Sequence, residues 1–166
     1  MFRFQRSVLF LTIGFFLLAG VAILVALFTA SAQSTVETQA NLFRTSIRIT
    51  NLLSTIQDAE TSQRGYLLTH DEKYLKPYQD AVAVMPDRMT SIEQIVVGRP
   101  DQVASVERLK ELVPKKLEEL KRTIDLGTTG EFDAALAVVK DDTGQAFMDE
   151  IRAVVAEMRQ RQVDAL

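Results

Sequence analysis

The chain has 166 residues, 47% apolar and 25% charged, with a formal net charge of −3 and no cysteine. That length allows one domain of ordinary size, and the lack of cysteine excludes a disulfide framework and thiol chemistry. Acidic side chains outnumber basic ones and no basic stripe occurs, which argues against nucleic acid as a partner.

From Ser7 to Val36 there is no charged residue, and Leu9–Phe28 is apolar except for Thr12 and two glycines. A helix of that length spans about 30 Å, the hydrocarbon thickness of a bilayer. A secretory signal is the competing reading, since Arg3 and Arg6 supply a basic start and Ala30-Ser31-Ala32 imitates a cleavage site. Signal cores run only about 7–15 apolar residues, so the stretch predicts an uncleaved transmembrane helix over 8–32. Arg3 and Arg6, with no further Lys or Arg until Arg44, put residues 1–7 in the cytoplasm and residues 33–166 on the far side.

Beyond the span the pattern is helical. Val36, Ala40, Phe43 and Ile47 step at helix period, and the stripe continues through Ile49, Leu52, Leu53, Ile56 and Ala59 to Leu67 and Leu68. No proline or glycine falls between Gly20 and Gly65, so this first exported helix is expected to be continuous with the transmembrane one. Thr69-His70-Asp71-Glu72 fits a capping box, with Thr69 and Glu72 as the reciprocal pair, and predicts a second helix from about His70. Its buried face reads Tyr74, Tyr78, Val82, Met85, Met89, Ile92, Ile95 and Val96, with Pro77 near the start and a kink expected at Pro86. Gly98-Arg99-Pro100-Asp101 separates it from a third helix carrying Val103, Val106, Leu109, Leu112, Val113, Leu117, Leu120 and Ile124, with a kink at Pro114. Gly127-Thr128-Thr129-Gly130 ends that helix. Phe132, Leu136 and Val139 form a short piece, Asp141-Asp142-Thr143-Gly144 interrupts, and Phe147, Ile151, Val154, Val155 and Met158 resume.

Nothing reads as a strand. Four legs with one apolar stripe each and short connections predict an all-α fold, an antiparallel up-down four-helix bundle. Leu166 falls in mid-helix with no second apolar span before it, so the natural protein is expected to continue or this form to be truncated.

Residues 58–69, DAETSQRGYLLT, place acids, an amide and small residues inside a helix, where such residues are poor formers. Ala59, Ser62 and Gly65 lie at three-residue spacing along one line and admit a neighbouring helix closely. Glu60 and Arg64 form an i,i+4 pair, worth about 0.2–0.5 kcal/mol if exposed. Gln63 falls near the apolar seam, and a polar layer there is expected to fix register.

DAETSQRGYLLT followed by DEKYLKPY resembles the signature of the third class of CHASE domains. Met85-Pro86, TIDLGTTGEFDAALAVVK and GQAFMDEIRAVVAEM resemble later blocks of that family in the same order, so the likeness covers about 35–166. His70 departs from it, because the family often has glycine after the threonine. The resemblance implies a four-helix extracellular sensory module between two membrane spans of a bacterial receptor, acting as a homodimer and feeding a cytoplasmic output such as a histidine kinase, a diguanylate cyclase or a chemotaxis transducer. It places the chain at the bacterial inner membrane, with everything after about residue 32 periplasmic or extracellular. The chain carries no output domain and no residue pattern for catalysis, cofactor binding or metal binding, so the chain itself is not read as an enzyme; its ligand is unspecified. A stand-alone anchored or secreted helical adaptor that binds another protein is the alternative.

The residues expected to pack or signal are Asp58, Glu60, Thr61, Ser62, Gln63, Arg64, Gly65 and Tyr66, with Met148, Asp149 and Arg152 from the last helix. Antiparallel geometry predicts that Glu60, Gln63 and Arg64 bond across the bundle to Asp149 or Arg152. His70, the single histidine, reads as turn filler, Asp141-Asp142-Thr143-Gly144 as a helix break and cap, and Tyr66, Tyr74 and Tyr78 as core aromatics.

Overall fold

The structure, a computed structural model, describes the backbone of residues 2–164 and the side chains of residues 15–164 except 16, 27, 29–38 and 98. Among the described residues all regular structure is helical, and there is no strand. The α-helices are α1 (Phe2–Thr69), α2 (Lys76–Glu93), α3 (Ile95–Gly98), α4 (Val103–Thr128), α5 (Phe132–Lys140) and α6 (Thr143–Val163). Short 3₁₀ turns, Glu72–Leu75 and Pro100–Gln102, precede α2 and α4.

The chain divides into two compact units, Met1–Phe43 and Arg44–Leu166. In the first, Leu17, Leu18, Val21, Ile23 and Leu24 are each more than half exposed. Among the described residues no helix is long and apolar enough to cross a membrane. The span expected over 8–32 includes 8–14, 16, 27 and 29–32, whose side chains lie outside the described residues.

The second unit has a core built from α1, α2, α4 and α6, to which Ile95 of the short α3 also contributes. Ile49, Leu52 and Ile56 of α1, Met85 and Ile92 of α2, Val106, Leu109, Leu112 and Val113 of α4, and Met148, Ile151, Val155 and Met158 of α6 are buried in one cluster. Spacing at helix period, mostly steps of three, four or seven residues, puts each set on one side of its helix. A smaller cluster of Tyr66, Leu67, Leu75, Ile124 and Ala135 lies further along, with Ala59, Ala81 and Leu120 forming a third. Phe43, Ile47, Leu68, Val82 and Val103, which the sequence stripes include, are exposed instead. On α2 the buried line runs Ala81, Met85 and Ile92, and Val82 stands about 100° around the helix from Ala81.

The breaks differ from expectation in informative ways. The Thr69–Glu72 capping box does not form. His70 takes a left-handed conformation at φ 57°, so the first extended residue with a side-chain acceptor is Asp71, which caps the 3₁₀ turn by accepting from the Lys73 amide at 3.0 Å. The Thr69 hydroxyl donates back to the Gly65 carbonyl at 2.8 Å, and α2 starts only at Lys76, with Pro77 in its first turn. A side chain at positive φ is strained; here the His70 ring is held by stacking on Phe132, centroids 3.6 Å apart. Helices α2 and α4 run through Pro86 and Pro114 without a break, and α2 yields at Gln94 instead. At the end of α4, Gly130 takes φ 84°, and the Glu131 amide returns to the Leu126 carbonyl at 2.8 Å. Asp141 caps the last break, accepting from the Thr143 amide at 2.8 Å, which holds its carboxyl below the usual range.

The 3₁₀ turn before α4 and the first turn of α4 are tied to the last turns of α6 by polar contacts. Gln102 donates to the Met158 carbonyl at 3.2 Å, and Arg161 donates to the Asp101 carbonyl at 2.6 Å and to the Ser105 hydroxyl at 3.1 Å.

Leu109→Ala is expected to destabilise the second unit by about 2–5 kcal/mol in denaturant unfolding, whereas Leu68→Ser stays within about 0.5 kcal/mol. Equal losses at the two positions contradict this assignment of the core.

Candidate functional site

The last turns of α1 bring the polar residues of 58–66 against three other elements. Ser62 is buried, and its hydroxyl donates to the Tyr74 carbonyl and accepts from the Tyr78 amide at 3.1 Å. Tyr78 is the third residue of α2, where an amide has no partner within its own helix. Ser62 therefore caps α2 from another helix and pins the register of the two. Gly65 is needed at the same contact, because a Cβ there would come within 2.8 Å of the Tyr74 ring.

On the other side of α1 lies a buried charged group. Lys116 of α4 is 2% exposed, and its ammonium donates to Glu60 at 3.2 Å and to Glu119 at 2.8 Å. Arg64, mostly exposed, donates to Glu60 at 3.1 Å. Two carboxylates, one ammonium and one guanidinium balance in charge. Gly144, at the start of α6, lies against this group, since a Cβ there would meet the Glu119 carboxyl at 2.5 Å. A carboxylate at a helix start is favourably placed against the helix dipole. One turn along, the buried Gln63 amide donates to the Thr123 hydroxyl at 2.6 Å. A chain of contacts thus runs from α1 through α4 to the first turn of α6.

The expected bonds from Glu60, Gln63 and Arg64 to Asp149 or Arg152 are not made. Asp149 and Arg152 are exposed and pair with each other at 2.9 Å, while Met148 is buried in the main core. The reason is geometric. Ile151 and Val155 turn inward with Met148, which leaves positions 149 and 152 on the outer side of α6. Lys116 and Glu119 were missed because such residues ordinarily sit in water. A signal existed, since Lys116 falls in line with Leu109, Leu112, Val113 and Leu120, a position that should be apolar.

Of the remaining residues, Asp58 and Thr61 are exposed and line a groove between α1 and α2. Tyr66 is buried, its ring 6.0 Å from Phe132 and against Gly127, where a Cβ would approach it to 2.8 Å. Burial, with a smaller contribution from Glu72, pushes its phenol above the usual range. Tyr78 is half-buried and raised chiefly for the same reason, while Tyr74 is partly exposed.

A family model described as the CHASE3 domain matches residues 32–166. The sensor domain of the histidine kinase HK9 of Rhodopseudomonas palustris has a similar crystal structure, with a TM-score of 0.65 and 24% sequence identity, over 73% of this chain and 94% of that one. At that identity the likeness establishes the fold. No curated protein sequence matches the chain.

Removing one member of the charged group leaves a buried charge unpaired. Lys116→Ala is expected to cost about 3–5 kcal/mol in urea unfolding, and Asp149→Ala under about 0.5 kcal/mol. A Lys116→Ala protein as stable as its Lys115→Ala counterpart contradicts the assignment.

Proposed function

We propose that this chain, which belongs to the CHASE3 domain family, is the extracytoplasmic sensory input module of a bacterial membrane receptor, with a histidine kinase as its output. CHASE3 domains are extracellular sensory modules of signalling receptors. In this reading residues 8–32 anchor the chain in the inner membrane, residues 1–7 are cytoplasmic, and the rest is periplasmic. The exposed apolar residues support it: Ile23 stands about 140° around the helix axis from Leu18, and both are open to the surroundings. A helix apolar on all sides suits a lipid environment. The sensory part is an antiparallel up-down four-helix bundle, α1 is continuous with the membrane helix, and the receptor works as a homodimer whose output domain follows α6 in the parent protein.

The observation that carries the reading is that α1 and α6 share one core. Ile49, Leu52 and Ile56 are buried in the same cluster as Met148, Ile151, Val155 and Met158, and the Arg159 guanidinium of α6 donates to the Thr50 hydroxyl of α1 at 3.0 Å. A packed interior resists continuous deformation, so a stimulus acts by moving these helices between discrete arrangements, by about 1–2 Å. Through Glu60, Lys116 and Glu119, displacement of the distal end of α1 is felt at the start of α6.

The chain has no cysteine, which makes cross-linking specific. In a chimera joining this chain to the kinase output of a characterised receptor, Thr50→Cys with Arg159→Cys, bridged by a short bis-maleimide, is expected to change kinase activity about fivefold or more. Output indifferent to that bridge contradicts the sensory reading. Carbonate extraction of membranes tests the anchor: the chain is expected to stay with the lipid, and its release into the wash contradicts the span.

A further inference from the structure

The groove between α1 and α2 holds about 520 Å³, within the range of small-molecule sites, about 300–1,000 Å³. Thr55 and Asp58 line it from α1, and Tyr74, Pro77, Val84 and Arg88 from the other side. Two charged groups of opposite sign, Arg88 and Asp58, line it without pairing with each other. The Arg88 Nε is buried with no hydrogen-bond acceptor, and among the described residues Arg88 makes no ion pair. Asp58, which is exposed, likewise makes no ion pair among the described residues, although it lines the same groove as Arg88. The Nε has no surface open to the groove, so a ligand there reaches the guanidinium only through its Nη atoms, which make no hydrogen bond among the described residues.

The charges narrow what fits. A guanidinium presents a planar fork that matches a carboxylate. A simple dianion is disfavoured, because Asp58 and Asp80 line the same groove and only Asp80 has a cationic partner, Lys76. A molecule with one carboxylate and one ammonium satisfies Arg88 and Asp58 together. The ring of Tyr74 with Pro77 and Val84 offers an apolar wall for the rest of it. From this juxtaposition we infer that the groove is a binding site for a free amino acid with an apolar or aromatic side chain. The inference names the ligand class for the sensory reading and rests on it. Ser62, whose hydroxyl fixes α2 against α1, lines the same groove, so an occupant spans the two helices beside the contact that sets their register.

The test is isothermal titration of the full chain in detergent with each of the common amino acids, with N-acetyl-leucine and leucine methyl ester as probes that each lack one charge, and with inorganic phosphate. Leucine or another apolar amino acid is expected to bind, and the two blocked forms are not. Arg88→Gln and Asp58→Asn are each expected to weaken binding by about 10- to 100-fold. Asp58 is exposed, so Asp58→Asn keeps the test open if Arg88→Gln fails to fold, as judged by circular dichroism. Absence of binding by every amino acid, binding unchanged in Asp58→Asn, or displacement by phosphate overturns the inference. The chimera separates this from the wider reading. If no amino acid binds but the 50–159 bridge still controls the kinase, the site fails and the sensor stands. If amino acids bind and the kinase ignores both ligand and bridge, the site stands and the sensor fails.

Discussion

A lysine ammonium held away from water between two carboxylates is the constraint around which the distal half of the second unit is arranged. Lys116 reaches Glu60 on α1 and Glu119 on its own helix, and neither carboxylate has much access to solvent. Desolvating three ions costs several kcal/mol each, and their mutual attraction offsets this only when the geometry is good. The surroundings accordingly follow from that group. Gly144 has no side chain because Glu119 occupies the space a Cβ would take, and Arg64 balances the second negative charge. Such a group adds little net stability over an apolar filling of equal volume. What it does is penalise any packing in which α1 and α4 are out of step, since a slip by one turn separates the charges.

The polar and small residues of 58–66 serve both faces of α1 at once. Toward α2, Ser62 satisfies an amide that α2 cannot satisfy alone, and Gly65 admits the ring of Tyr74. Toward α4, Glu60 and Gln63 meet Lys116 and Thr123. Poor helix formers are tolerated because tertiary bonds replace the propensity they lack. The distal end is closed by aromatic contacts, with Phe132 stacked on His70 and lying near Tyr66. That stack accounts for a histidine in a left-handed turn where glycine carries no strain.

Much of this arrangement was legible in the sequence. The all-helical character follows from apolar steps of three and four, as at Ile49, Leu52 and Ile56 or Ile151, Val155 and Met158. The breaks at Gly130 and at Asp141-Asp142 were visible in their turn residues. What escaped were features set by three-dimensional context. The capping box at Thr69 satisfies a local pattern, but a left-handed His70, supported by the distant ring of Phe132, moves the cap to Asp71. Val82 and Phe43 match helix period, yet a one-residue rotation of the buried line leaves Val82 exposed, and the stripe toward Phe43 extends beyond the shared core. For the polar layer, the sequence identified the α1 side and misassigned the partner helix, because a buried lysine looks like any surface lysine until its place in the 109–120 stripe is considered.

The measurement that bears most directly on this account is a double-mutant cycle between Glu60→Gln and Lys116→Met, followed by urea unfolding. If the two side chains hold α1 against α4 as a buried pair, the double mutant is more stable than the sum of the single losses allows, with a coupling of about 1–3 kcal/mol. Losses that add to within about 0.5 kcal/mol would mean that the two groups act independently, and the constraint described here would not exist.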